Sequence, residues 1–175
     1  MQFELKTISV QSIPEALSKV ERYRLLNEPV LAESICLDVL AVVPDHHQAL
    51  IFLLLARTDQ FHSNVQPKGA LEVLAQIKGD YEQAYYAGVI WERVGNAILR
   101  HGDPGARTSA YHALVDAMSH YERAMKFASP GNDAAILRWN ACARIIMQNP
   151  DIQPLAEHDP QTWRHDEAGS RIADA

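Results

Sequence analysis

At 175 residues and 47% apolar content, the chain has the size and composition of one globular domain, able to bury about 70% of its unfolded surface. Its net charge of −6 excludes the basic face that nucleic-acid binding requires. Two cysteines, Cys36 and Cys142, exclude a disulfide scaffold, and the longest apolar run, Ala49 to Ala56, falls far short of the ~20 residues that span a bilayer.

In chain order, residues 1–11 read as an extended lead-in. Met1 to Lys6 shows no basic stretch ahead of an apolar run, so no signal peptide is expected, and the cytoplasm is the expected compartment. Ser12 and Glu15 form a capping-box pattern around Ile13 and Pro14, which predicts a first helix to about Leu26 with Ile13, Leu17, Val20 and Tyr23 on its buried side. Asn27-Glu28-Pro29 is a turn and start signal. A second helix follows from about Val30 to Val42, carrying Ala32, Ile35, Cys36, Val39 and Leu40 at helical spacing. Pro44 ends it, because the residue before a proline is pushed out of the helical region. Asp45 is the expected cap of a third helix, about His46 to Phe61, in which Ala49, Leu50, Leu53, Leu54 and Ala56 resume the spacing.

His62 to Gln66 reads as a loop, and Pro67 as the first-turn residue of a short fourth helix ending near Ile77. Asp80 is the expected cap of a fifth helix to about Arg100. His101 to Arg107, with two glycines and a proline, is the strongest loop signal. A sixth helix is predicted over Thr108 to Ala128, then a Ser129-Pro130-Gly131-Asn132 turn, then a seventh helix from Asp133 to Gln148. No β alternation is present. Both cysteines fall among apolar residues in these helices and are expected to be buried thiols. Residues 150–175 read as an acidic tail, with six acids from Asp151 onward against Arg164 and Arg171, and Trp163 as its one expected anchor point.

Helix–turn–helix units of this kind, with small residues where helices approach, resemble the tetratricopeptide repeat (TPR) family, as a small protein of the bacterial type. Ala32 with Val39, Ala70 with Ile77, and Ala117 with Ala124 match the seven-residue pair of the family's second helix. Tyr23 and Trp91 match its mid-helix aromatic, Gly88 its glycine and Pro44 its terminal proline; Pro130 lies one place off. Only Ala117 and Ala124 are small at both places. Ala32, Ala70 and Ala117 lie 38 and 47 residues apart, against a family repeat of about 34, so insertions are required. The resemblance spans Ile13 to Gln148. It implies an all-α fold: a right-handed stack of antiparallel helix hairpins, with about three degenerate repeats plus a capping helix over residues 12–149.

The resemblance also implies a function, since the first helix of each pair lines a concave groove in this family. By position, Leu17, Glu21 and Arg24 would come from helix one, Gln48 and Phe52 from helix three, and Tyr85, Glu92 and Arg93 from helix five. Helix seven would add Arg138 and Arg144. The family's clamp for a terminal carboxylate is absent, because Leu17 and Glu21 stand where its lysine and asparagine belong. Leu17, Phe52 and Tyr85 have core as their competing reading. Trp139 sits at a core spacing from Ala135 and Cys142, and Arg138 with Arg144 reads as a basic edge able to pair a carboxylate. The expectation is a non-catalytic module that binds a peptide or partner protein, with no cofactor and no nucleic-acid or membrane partner. Docking of the acidic tail on the groove, or on a second copy, is a variant that Arg93, Arg138 and Arg144 make electrostatically plausible.

Two alternatives remain. His112, Asp116 and His120 recur every four residues on helix six and are reasonable zinc ligands, which would make a metal-dependent enzyme. Tyr111, Leu114, Val115 and Met118 are expected to form the buried face of that helix, leaving the stripe in water. The other alternative is a structural subunit for self-assembly. Gly102 to Gly105 lacks a phosphate-loop lysine, and no serine or cysteine sits in a nucleophile motif.

Overall fold

The computed structural model describes residues 3–62, 65–102 and 104–154. These residues form seven α-helices and no strand: α1 (Ile13–Leu25), α2 (Pro29–Val42), α3 (His47–Asp59), α4 (Pro67–Leu74), α5 (Asp80–His101), α6 (Ala106–Met125) and α7 (Ala134–Gln148). The all-α class is as the sequence predicts. Each helix packs on the next in the chain, and α3 also touches α1 and α5. No helix among the described residues is long and apolar enough to cross a membrane.

Several helix ends differ from the sequence expectation, each for a local reason. The capping box does not form. A 3-10 turn, Val10–Ser12, runs directly into α1, and the Ser12 hydroxyl donates back to the Ser9 carbonyl at 2.8 Å. Glu15 pairs instead with Lys19 at 3.0 Å. The end of α1 is a Schellman motif: Asn27 adopts φ 59°, Glu28 N–H reaches the Tyr23 carbonyl at 2.8 Å, and Asn27 N–H reaches that of Arg24 at 3.1 Å. Pro29 is therefore already the first residue of α2. His46, not Asp45, caps α3, its Nδ1 accepting from Ala49 N–H at 3.3 Å.

The fourth helix stops at Leu74, three residues early. Beyond the stop, the Gln83 side-chain amide donates to the Leu74 and Ile77 carbonyls at 2.7 and 2.5 Å and so satisfies acceptors that the helix leaves free. Gly79, at φ 100°, caps α5 in place of Asp80; a side chain there would be strained. The packed chain also continues past the expected boundary at 149, because Ile152 is 3% exposed and Asp151 pairs with Arg107 at 2.7 Å. Trp163 lies outside the described residues.

Two apolar cores share α5. The larger gathers α1 to α5 around Val20, Cys36, Leu54 and Ile90; the smaller gathers α5 to α7 around Leu114, Tyr121 and Cys142. Leu55, Tyr86 and Trp91 pack against both. All three seven-residue pairs are buried: Ala32 with Val39, Ala70 with Ile77 and Ala117 with Ala124. The broadest helix–helix interface joins α5 and α6, and two glycines permit it. A Cβ on Gly88 would lie 2.5 Å from a Tyr121 ring carbon, and one on Gly95 would lie 3.0 Å from Leu114. Val115 is 39% exposed and stands off the buried face where the sequence placed it. The α6 stripe that meets α5 is Ala110, Ala113, Leu114, Ala117 and Tyr121.

Gly88→Ala is expected to cost about 1–3 kcal/mol, because the added methyl must displace the Tyr121 ring. Gly69→Ala, where a Cβ meets only the Arg57 side chain at 3.6 Å, is expected to be neutral or to gain up to about 1 kcal/mol from helix propensity. Urea unfolding of both variants checks the pair. Burial pushes the Cys36 and Cys142 thiols up from 9.0 to about 12. The unfolded thiols ionise first, so the stability contribution is intact below about pH 9 and is lost as pH rises toward 12. Neither thiol is expected to react with a disulfide reagent at pH 8 until denaturant is added, a result that absorbance of the released thiolate would show.

Candidate functional site

The face shared by α1, α3, α5 and α7 carries two clefts that meet at one residue, Asp59 near the end of α3. The larger, about 440 Å³, is lined by Thr58 and Asp59 from α3, by Glu92, Arg93, Asn96, Leu99 and Arg100 from α5, and by Arg138 from α7. The smaller, about 320 Å³, is lined by Glu21, Arg24 and Leu25 from α1 with Phe52 and Asp59 from α3.

Asp59 is held by two guanidiniums. Arg24 Nε donates to Oδ2 at 2.7 Å, and Arg93 Nη1 pairs with Oδ1 at 2.6 Å. Arg93 also donates to the Leu55 carbonyl at 2.9 Å and to the Thr58 hydroxyl. Burial lowers the Arg93 pKa from its ordinary value; Asp59 opposes this, while Arg24 and Arg138 push it further down. This node ties α1, α3 and α5 together.

Glu92 forms the second node and is 8% exposed. Tyr121 O–H donates to its Oε2 at 2.5 Å, and Arg138 Nη1 donates to Oε1 at 3.0 Å. Burial, and then the Glu92 charge and hydrogen bond, raise the Tyr121 pKa far above the ordinary phenol, so Tyr121 stays a donor. Burial disfavours the Arg138 cation most strongly, but Glu92, Tyr121 and Tyr85 together outweigh it and the pKa rises. Tyr85 lies against Tyr81, Tyr86 and Tyr121, with ring centroids 5.2 to 5.9 Å apart. This node ties α5, α6 and α7 together.

Of the residues assigned to the groove from the sequence, Glu21, Arg24, Phe52, Glu92, Arg93 and Arg138 line these clefts. Leu17 and Phe52 belong to the core as well. Tyr85 is outside the lining of both clefts and packs among Tyr81, Tyr86 and Tyr121. Gln48 is exposed on the first turn of α3, outside the lining of both clefts. Arg144 is exposed and does not share an edge with Arg138, since six residues leave the two about 120° apart around α7. Trp139 is only half-buried, and its indole N–H donates to Glu122 at 3.0 Å. Asp59, Asn96, Arg100 and Tyr121 were missed. The first three lie one helical turn or two beyond Phe52, Glu92 and Arg93 on the same faces, so extending those faces would have found them.

His112 and Asp116 are exposed, while His120 is half-buried with its Nδ1 out of contact with water and hydrogen-bonded to nothing. Burial, with the nearby Arg123 cation, lowers the His120 pKa from 6.5. Among the described residues no group of three histidine, cysteine or acidic side chains is arranged to hold a metal ion. No protein-family model matches the chain, and no curated protein and no solved structure matches it.

Tyr121→Phe is expected to cost about 1.5–3 kcal/mol, the worth of a hydrogen bond to a buried charged group. In the Glu92→Gln background the same change is expected to cost clearly less. A double-mutant cycle by chemical unfolding reads this difference as the coupling.

Proposed function

We propose that the chain is a non-catalytic interaction module, a right-handed stack of antiparallel TPR-like helix hairpins that offers its inner face to a peptide or partner protein. The observation that carries this reading is the join at Asp59. Side chains from all four odd-numbered helices converge on one connected pair of clefts. The succession of neighbours, with α1, α3 and α5 also in mutual succession, is compatible with stacked hairpins. Ala32, Ala70, Ala117 and Ala124, all buried, are small residues of the kind such stacking needs.

The chemistry of the clefts favours recognition. Asp59 and Glu92 are each held from both carboxylate oxygens by fixed donors, so they order the wall. A wall ordered before the partner arrives lowers the cost of binding. Asn96 and Arg100, one and two turns further along α5 in the larger cleft, and Glu21 in the smaller are polar groups left for an incoming chain. Leu99, Leu25 and Phe52 supply apolar surface beside them. An extended or helical peptide suits a trough of this kind.

The test is site-specific photo-crosslinking in a native extract. A photoreactive residue at position 96 is expected to capture a partner that one at Asp116, exposed on α6, does not. Equal capture from both positions, or none from position 96, overturns the reading.

A further inference from the structure

Most of the charged side chains that line the two joined clefts neutralise one another. Arg24 and Arg93 hold Asp59, and Arg138 holds Glu92. Glu21 in the smaller cleft and Arg100 in the larger are left over. Both are exposed, and neither has an ion-pair partner among the described residues. One end of the trough therefore carries an unanswered acid and the other an unanswered base.

The helices fix how far apart these two charges stand. Asp59 of α3 bonds Arg24 of α1 and Arg93 of α5, so α3 lies between the helices that bear Glu21 and Arg100. Glu21 precedes Arg24 by nearly one turn of α1, and Arg100 follows Arg93 by two turns of α5. Packed helices lie ~8–10 Å apart, and with the offsets along their axes the two charges are separated by roughly 25 Å. An extended chain covers that distance in about seven residues. The surface between them is apolar, with Leu25 at 88% exposure, Phe52 beneath it and Leu99 beyond. A uniformly acidic ligand would be repelled at Glu21, and a uniformly basic one at Arg100.

We propose that the trough takes a bipolar peptide segment of about seven residues, with an acidic side chain at one end, a basic side chain at the other and large apolar side chains between them. The acid meets Arg100, the base meets Glu21, and the apolar residues cover Leu25, Phe52 and Leu99. This names the chemistry of the partner and rests on the reading of the clefts as a peptide site. The two end charges fix the direction in which the peptide lies, and the apolar centre supplies most of the affinity.

The experiment selects a phage-displayed library of random peptides on the full chain and, in parallel, on its Arg100→Glu and Glu21→Lys variants. Both positions are exposed, so both variants are expected to fold. On the unaltered chain the retained peptides are expected to carry an acid and a base about seven residues apart, with leucine, isoleucine, methionine or phenylalanine between. On Arg100→Glu a base is expected to replace the acid, and on Glu21→Lys an acid is expected to replace the base, with the apolar centre kept in both. A retained peptide is expected to bind Arg100→Glu about tenfold more weakly by fluorescence anisotropy at low salt, because an exposed attraction has become a repulsion. Changing the acid of that peptide to lysine is expected to restore its affinity for Arg100→Glu. Retained peptides without the two charges, charges that ignore the two substitutions, or no retained peptide at all overturns the proposal. So does capture of nothing but a second copy of the chain by the photoreactive residue at position 96. If the charge pattern is absent but position 96 still captures another protein, only the bipolar chemistry fails. If position 96 captures nothing, the peptide-site reading fails with it.

Discussion

The burial of one carboxylate governs the C-terminal half of this fold. Glu92 sits in the middle of α5, between two apolar cores, where an uncompensated charge would cost several kcal/mol. Tyr121 from α6 and Arg138 from α7 compensate it, one on each oxygen. Each donor can reach only if its helix lies where it does. Gly88 is part of the same arrangement, because the Tyr121 ring fills the space that a side chain at 88 would take. Once the apolar faces have brought α5, α6 and α7 together, satisfying this one acid constrains their register and the chemistry of the cleft wall.

Asp59 plays the equivalent part in the N-terminal half. Its two oxygens receive Arg24 from α1 and Arg93 from α5, and Arg93 also closes the end of α3 through the Leu55 carbonyl. Ion pairs that remain about one-fifth exposed, as these are, contribute little net stability compared with the apolar cores. Their consequence is geometric: they fix the spacing of the odd-numbered helices along the face that carries the clefts. Because α5 supplies both Glu92 and Arg93, adjacent in sequence, the two nodes share one helix and the wall behaves as a unit.

The even-numbered side differs. There Arg57 pairs with Glu33 at 2.9 Å and donates to the Gly69 carbonyl at 2.9 Å, tying α2, α3 and α4. Gln60 adds a bond to the same Glu33 at 2.6 Å. Charge therefore sits at helix junctions on both sides of the molecule. What sets the cleft apart is Arg100, an exposed cation that no acid pairs with among the described residues.

Helical periodicity by itself determined the seven helices, their order and many of their buried faces, because a 3.6-residue repeat such as Ile13, Leu17 and Val20 is a local property of the chain. On α6 it pointed to Tyr111, Leu114, Val115 and Met118, and only packing against α5 selected Ala110, Ala113, Leu114, Ala117 and Tyr121. Turn chemistry determined the breaks at Asn27, Pro44 and Pro67 for the same reason. Capping was less legible: Ser12, Asp45 and Asp80 are good cap residues, but an adjoining 3-10 turn, the reach of His46 and the conformation of Gly79 displaced them. Positions such as Glu21, Arg24, Glu92 and Arg93 were legible as one helix face each. Which acid meets which base was not, since Arg24 and Asp59 are 35 residues apart and Glu92 and Arg138 are 46 apart. Only the tertiary structure brought them together. A charge on a helix surface carries no record of its partner, and packing of the apolar faces decides which helices meet.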